Sequence, residues 1–416
     1  MKPEPHSTLP FSNLAALGRG LLLAAGVALL AGSASALFLH ALDWATATRL
    51  ASPWLLAGLP LAGCAVGWVY LKFGGRSDGG NNLLIDEIHQ PRQTLPLRMA
   101  PLVLAATVVS HLFGASVGRE GTAVQMGGAL ADQIARALRL AREDRPVLLM
   151  CGIAAGFGSV FGTPLAGAVF ALEVLAVGRL HHAVLLPCLV AALLADRVAL
   201  SWGVTHSHYA VAPFGSLSLL QLAALLLAGV LFGLVARLFA GASHALADQF
   251  KRRIAWPPLR PLLGGGVIAA VAWGLGAERY LGLGLPVIGQ AFEQPLPAWD
   301  FAGKLAFTVA SIGSGFKGGE VTPLFFIGAT LGNALAPLLQ LPFDLLAAVG
   351  LVAVFAGAAN TPLACTLMAV ELFGAALGVP AAIACAASYL CSGPLGIYKA
   401  QRAGEGKVAQ PRPPEA

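Results

Sequence analysis

Two glutamates stand in turns made of small residues, Glu120 in Gly118-Arg119-Glu120-Gly121-Thr122 and Glu320 in Gly318-Gly319-Glu320-Val321-Thr322-Pro323. Each is followed two residues later by Thr. Downstream, Thr163-Pro164-Leu165-Ala166 and Thr361-Pro362-Leu363-Ala364 recur, each with a Glu ten residues beyond its Thr, at Glu173 and Glu371. A turn of small residues at a helix start aims unsatisfied N–H groups at one point and creates an anion site. A carboxylate there can occupy the site, leave it when protonated and give way to a dissolved anion. Glu120 suits that role; it equally suits a plainer one, capping the helix while paired with Arg119.

The other polar residues read with similar alternatives. Glu320 could face the same pathway as Glu120 with Lys317 compensating its charge, or the two could form a structural pair at the helix entrance. Pro323 suits a first helical position, and Thr322 offers a hydroxyl to an ion or to its own helix. Gly79-Gly80-Asn81-Asn82-Leu83 can present neutral N–H donors to a small anion, or be a polar turn. Matched positions give Glu173 and Glu371 a repeated structural task, such as capping backbone near a broken helix. Tyr398 could donate its hydroxyl to an ion or act as an interfacial anchor. His111 and the His181–His182 pair could carry protons but lack metal-site spacing. Six scattered cysteines without CxxC spacing point to packing rather than metal or disulfide.

These residues must be positioned inside a membrane. The 416-residue chain is 57% hydrophobic and 11% charged, with mean hydropathy +0.76, too little charge for a water-soluble surface. Apolar stretches at 21–42, 55–71, 183–195 and 217–236 could cross much or all of the hydrocarbon. More lie at 263–275, 305–312, 325–338, 345–370 and 381–390, several short or interrupted. With 50 Gly and 27 Pro, broken helices are expected, and non-helical backbone at membrane depth needs protein or a wet cavity around it.

The net charge of +6 does not indicate nucleic acid, because the basic residues sit in short loops beside spans. The basic stretch 131–145, the patch Lys251-Arg252-Arg253 with Arg260, and a tail bearing Lys399, Arg402, Lys407 and Arg412 are expected on the cytoplasmic face. Segment 201–216 has no Lys, Arg, Asp or Glu and is expected outside. The two copies, 20–198 and 217–398, are then inverted relative to each other, followed by a short cytoplasmic tail at 399–416. The opening segment is too polar and too Pro-rich for a cleaved signal, so 21–42 reads as a retained span.

Together these motifs resemble the CLC family of chloride channels and anion/proton antiporters, from about residue 20 to Tyr398. The resemblance implies an all-α integral membrane fold of two inverted-topology repeats with broken and re-entrant helices. It also implies a homodimer with one anion pathway per subunit, and no cofactor or metal. Glu120 matches the family's external gating glutamate, Tyr398 its central tyrosine, and 315–323 its second-half anion-binding turn, which brings in Gly318, Gly319, Val321 and Thr322. Gly118, Arg119, Gly121 and Thr122 match the first-half turn.

Departures from the chloride-handling pattern are informative. Asn81 stands near the serine of the family's Gly-Ser-Gly-Ile-Pro turn, Thr122 replaces the usual Pro, and Glu320 and Thr322 enter a turn that normally lacks an acid. Val174 stands where many proton-coupled chloride transporters carry an internal glutamate. These features resemble the bacterial fluoride-exporting branch, whose members exchange fluoride for protons. Fluoride is costly to dehydrate unless dense donors replace its water; Asn81, Asn82, Thr322, Tyr398 and helix-end amides form such a set. The expectation is a fluoride/proton antiporter of the bacterial inner membrane, with Glu120 gating and Glu320 as relay or electrostatic partner. The alternatives are a passive fluoride or chloride channel or a chloride/proton antiporter of the same fold. A membrane-embedded hydrolase using Glu120 and a histidine is the alternative from another class, with no HExxH motif or His/Asp zinc cluster in the chain to support it.

Overall fold

The computed structural model describes residues 14–178, 182–207, 209–403 and 407; His181, Arg412 and the polar opening segment lie outside them. Sixteen α-helices occur among the described residues, eight on either side of the segment 203–218. The first eight are α1 (Leu14–Ala51), α2 (Leu59–Val69), α3 (Gly80–His89), α4 (Met99–Leu112), α5 (Glu120–Ala137), α6 (Asp144–Phe161), α7 (Pro164–Glu173) and α8 (Leu185–Ser201). The second eight are α9 (Leu219–Arg253), α10 (Leu259–Gly274), α11 (Leu285–Glu293), α12 (Asp300–Ser314), α13 (Val321–Leu339), α14 (Phe343–Ala359), α15 (Pro362–Phe373) and α16 (Gly378–Cys391). Two-residue strands, β1 (Ala176–Val177) and β2 (Arg402–Ala403), pair in parallel.

The halves run in opposite senses. Arg19 in the first turns of α1 lies 4.0 Å from Asp144, among the basic loops, and further along α1 His40 Nε2 is 3.0 Å from the Trp202 carbonyl. Helix α9 starts from the Trp202 side, at the charge-free loop, and ends at Lys251, Arg252 and Arg253. Its 35 residues extend about 52 Å, ample for a tilted crossing. Among the described residues, five helical segments are long and apolar enough to cross a membrane, including Leu17–Ala51, Leu219–Arg253 and Val321–Leu339.

Several expected boundaries move. The apolar stretch 345–370 is two helices, α14 and α15, because Asn360 takes a left-handed cap (φ 58°) and Thr361-Pro362 starts a new helix. The first half uses the same device, Gly162 (φ 70°) followed by Thr163-Pro164. The basic stretch 131–145 is likewise split: α5 ends at Ala137 and α6 begins at Asp144.

Glycine lets the central helices touch backbone to backbone. A Cβ on Gly127 of α5 would stand 2.2 Å from the Gly152 carbonyl of α6, and one on Gly328 of α13 would stand 2.0 Å from the Gly350 carbonyl of α14. With lipid tails as apolar as Leu, such close packing is what holds helices together in a bilayer.

The Thr-Pro helices have their amide ends closed by the opposite half. Glu371, near the end of α15, accepts from Leu165 and Ala166 N–H, both at 2.8 Å, at the start of α7. Glu173, at the end of α7, accepts from Leu363 (3.1 Å) and Ala364 (2.9 Å) N–H at the start of α15. On the basic side, Arg145 joins two buried acids, binding Asp132 with Nε at 2.6 Å and Nη2 at 2.8 Å and Glu87 with Nη1 at 3.1 Å. Glu87 also takes Arg76 and the Arg92 amide, fixing the loop between α3 and α4.

Candidate functional site

The turns at 118–122 and 318–323 meet inside the protein. Gly118 N–H donates to the Gly319 carbonyl at 2.5 Å and Gly319 N–H returns to the Gly118 carbonyl at 2.7 Å, an isolated antiparallel bridge. From it the chain enters α5 on one side and α13 on the other, bringing two helix N-termini to one small volume. Partial positive charge and free N–H groups concentrate there.

Glu120, the first residue of α5, is completely buried. Its carboxylate crosses to the other half: Oε2 accepts from Thr322 N–H at 3.1 Å and Oε1 accepts a short hydrogen bond from the Thr322 hydroxyl. On its own side it accepts from Arg119 N–H at 3.2 Å and Arg119 Nε at 3.3 Å. The pairing with Arg119 is present, and the same carboxylate is seated on the amide end of the opposite helix rather than capping its own. Any anion replacing the carboxylate meets the same donors.

The structural register differs by one residue from the sequence match. Gly118 pairs with Gly319, and the helices start at Glu120 and Val321, so Glu320 corresponds to Arg119. Thr322 thus corresponds to Gly121, which explains the divergent Thr residues. Thr322 faces Glu120, whereas Thr122 turns away and its Oγ1 lies 2.7 Å from Thr107 Oγ1 of α4. The Thr122 amide also lies 3.2 Å from the Arg119 carbonyl, so Thr122 offers the site neither hydroxyl nor free amide. Val321 is buried and apolar, leaving its backbone N–H as its contribution.

Glu320 is not paired with Lys317, which corrects the helix-entrance pair considered from sequence. Lys317 Nζ donates to Asp78 Oδ1 at 2.6 Å and sits 4.2 Å from the Tyr70 ring centre, because its turn projects toward the segment before α3. Glu320 Oε2 is buried without a hydrogen-bond partner, as is Asn81 Oδ1. Both side chains converge on Gly121: a Cβ there would lie 3.0 Å from Asn81 Nδ2 and 3.7 Å from Glu320 Oε2. Asn82 has another task, since its Oδ1 accepts from Ala400 N–H at 2.9 Å and tethers the segment after Tyr398. Tyr398 is buried near Asn81, both lining a small void between α3 and α6.

Two cavities flank this centre. One of about 470 Å³ is lined by Asn81, Glu320, Tyr398, Lys317, Lys251 and Arg260, on the side where α9 ends in its basic cluster. The other, about 30 Å³, is lined by Arg119, Glu120, Thr322, Phe325, Ser207 and Tyr209, on the side of the charge-free loop. Asn81 and Glu320 both line the larger cavity, and their side-chain ends flank Gly121, the residue after Glu120. Sequence reasoning missed Gln125, beside Gly80 in the larger cavity, and Ser207 and Tyr209, whose loop carried no signal beyond its lack of charge. His111 is buried in α4, with Nδ1 2.8 Å from the Thr107 carbonyl. Among the described residues, no three His, Cys, Asp or Glu side chains are grouped to hold a metal ion.

The sequence profile of the voltage gated chloride channel family matches residues 62–393, a span containing both turns and both Thr-Pro breaks. The chain belongs to the CLC family. Its CLC fold has the two inverted repeats and broken helices described above. A "Chloride/fluoride channel protein" of Pseudomonas syringae pv. tomato is 58% identical over 420 residues, covering 100% of this chain and 92% of the relative. A solved CLC-type fluoride/proton antiporter superposes with TM-score 0.91 at 36% identity, covering 94% of this chain and 100% of that one. A slow cyanobacterial Cl−/H+ antiporter shares the fold, with TM-score 0.77, 21% identity and 90% and 94% of the two chains covered.

Proposed function

We propose that this CLC protein exports fluoride from the cytoplasm in exchange for protons. The observation that carries the reading is the Glu120 carboxylate seated on the Thr322 amide and hydroxyl, between two cavities on opposite sides of the protein. Protonated, Glu120 gives up most of its claim on those donors and an anion takes its place; ionised, it reclaims the seat. Asn81, Thr322, Tyr398 and the amides of Gly319, Val321 and Gly121 are the donors proposed to replace fluoride's water. Asn82 contributes through the wall it holds. Glu320, half-buried beside Asn81 with its Oε2 lacking a hydrogen-bond partner, is proposed to pass the proton between Glu120 and the larger cavity. Support for fluoride comes from the similarity to a fluoride/proton antiporter over that protein's full length.

The larger cavity, with Lys251, Arg260 and Lys317, faces the cytoplasm in this reading and draws anions in, while loop 203–218 lies outside. The repeats are 20–198 and 217–398, and both termini are cytoplasmic. The protein is a homodimer in the bacterial inner membrane with one pathway in each subunit. A passive channel is the second reading, favoured by the word channel in the name of the Pseudomonas syringae relative.

Purified protein in liposomes loaded with fluoride decides between them. Exchange predicts fluoride efflux well above that of empty liposomes and a reversal potential that shifts with the imposed pH gradient. Efflux indifferent to that gradient establishes the channel, and efflux equal to empty liposomes removes both.

A further inference from the structure

The loop 203–218 is docked on the first half by a polar contact that the exchange cycle does not use. His206 in the loop and Asp196 of α8 have side chains only 9% and 8% exposed, and His206 Nε2 stands 3.3 Å from Asp196 Oδ1. Neither atom has a hydrogen-bond partner, so the two groups are within ion-pair range without being bonded. Glycine makes room for the ring: a Cβ on Gly162, the left-handed cap that closes α6, would stand 2.5 Å from the imidazole Cδ2.

The two loop residues Ser207 and Tyr209, just after His206, line the smaller cavity together with Arg119, Glu120 and Thr322. Past His206 the loop has two further anchors. Tyr209 stacks on Phe292 with centroids 5.0 Å apart, and Ala212 N–H donates to Asp344 Oδ2 at 2.6 Å. A segment held by so few contacts opens locally at small cost, so one polar contact weighs heavily in whether it stays docked.

An ionised carboxylate favours the protonated form of an imidazole beside it, and a carboxylate withdrawn from water is costly to leave unpaired. The neighbouring charges do not fill that role. Arg197 Nε lies 4.0 Å from Asp196 Oδ2 on a side chain 75% exposed. Glu371 of α15, the other acid acting on Asp196, is committed to the Leu165 and Ala166 amides. Arg119 is paired with Glu120, and His40 of α1 lies against the Trp202 carbonyl at the start of the loop. His208 lies outside the described residues.

We infer that His206 and Asp196 form an acid-set latch: a proton taken from solution by the imidazole turns their contact into an ion pair that holds the loop 203–218 down over the smaller cavity, and loss of that proton frees the loop. Histidine changes charge between about pH 5 and 8, so the latch is closed at the acid end of that range and is lost as pH rises through it. Its role, though not its existence, rests on the exchange reading. Fluoride leaves past the loop, so acid outside drives the exchange and also tightens the exit, which flattens the response to strong external acidity.

Hydrogen exchange of residues 203–218 in the purified protein, compared at about pH 5.5 and 8 after correction for intrinsic rates, tests the latch. Wild-type protection is expected to be about fivefold greater at the acid pH. In His206→Gln, which cannot take the charge and leaves His208 in place, and in Asp196→Asn, the difference should vanish. Protection independent of pH in the wild type, or the same pH dependence in H206Q, overturns the latch. Asp344 does not imitate it, because protonating that carboxylate weakens its hold on Ala212 and acts with the opposite sign. A detergent melting curve checks that both variants fold. In liposomes, fluoride efflux should rise more steeply with external acidity in H206Q than in the wild type; superimposable curves overturn the loop's part in release. A wild-type protein that moves no fluoride refutes the exchange reading, while hydrogen exchange still judges the latch itself.

Discussion

Gly118 and Gly319 exchange both of their backbone hydrogen bonds, at 2.5 and 2.7 Å. This short bridge joins the two inverted halves where their helix N-termini meet, so the position of the proposed anion seat depends on two residues without side chains. A Cβ on Gly319 would stand 2.7 Å from the Gly121 nitrogen, closer than backbone can tolerate.

Gly319→Ala should therefore leave a folded protein whose turns are pushed apart. Fluoride efflux from liposomes is expected to fall roughly 10²-fold, as for a displacement of about 1 Å between groups that must act together. Wild-type flux in this variant would show that the close approach is unnecessary.

Glu120→Gln cannot ionise and so cannot reclaim the seat. Proton-coupled transport should disappear, and any residual fluoride flux should be flat across pH, whereas wild-type efflux rises with external acidity. A pH-dependent reversal potential in E120Q rules out Glu120 as the coupling acid.

Thr322→Val keeps the shape and the backbone N–H but removes the hydroxyl that bonds Glu120. Loss of one hydrogen bond to a charged group, about 1.5–3 kcal/mol, should lower fluoride flux about tenfold or more and narrow its preference over chloride. Paired fluoride and chloride efflux assays measure this, and an unchanged ratio counts against a donor role for the hydroxyl.

Glu371→Ala exposes the amides of Leu165 and Ala166 at a helix start without replacing their acceptor. A loss of about 1–3 kcal/mol is expected, read as a lower melting temperature in detergent, and Glu173→Ala should act alike on Leu363 and Ala364. Melting indistinguishable from wild type in both variants would mean that these caps contribute little.

Arg145→Ala leaves Asp132, 1% exposed, without its cation and Glu87 with Arg76 alone. Removing one member of such a buried cluster costs about 3–5 kcal/mol. The melting temperature should fall further than for either cap variant, and a smaller fall would contradict the account of the basic side.

Much of the fold was legible because membrane insertion leaves a coarse imprint. Low charge, Gly and Pro interruptions and repeated Thr-Pro-Leu-Ala breaks are local properties, and backbone at membrane depth has few ways to be satisfied. The site was half legible. Glu120 stood out as an acid in a glycine turn, and the matched Glu173 and Glu371 announced a shared task. Lys317 reaching Asp78, Asn82 holding Ala400 and Thr122 facing Thr107 were not legible. Neither was the register that makes Val321, rather than Glu320, the counterpart of Glu120 in the second half. A shift of one residue turns a helical side chain by about 100°, so residues adjacent in sequence face different partners.

The sequence alone determined that this chain lives in a membrane, that it is built twice, and that one buried acid stands at a helix start. Those are consequences of composition and of spacings within short segments. Only the tertiary structure decided which donors meet that acid, because the Thr322 amide and hydroxyl on Glu120, the convergence of Asn81 and Glu320 on Gly121, and the approach of Ser207 and Tyr209 to the cavity beside Arg119 join residues far apart in the chain. Their meeting depends on the direction each side chain leaves its helix once the two halves pack, which no local pattern encodes.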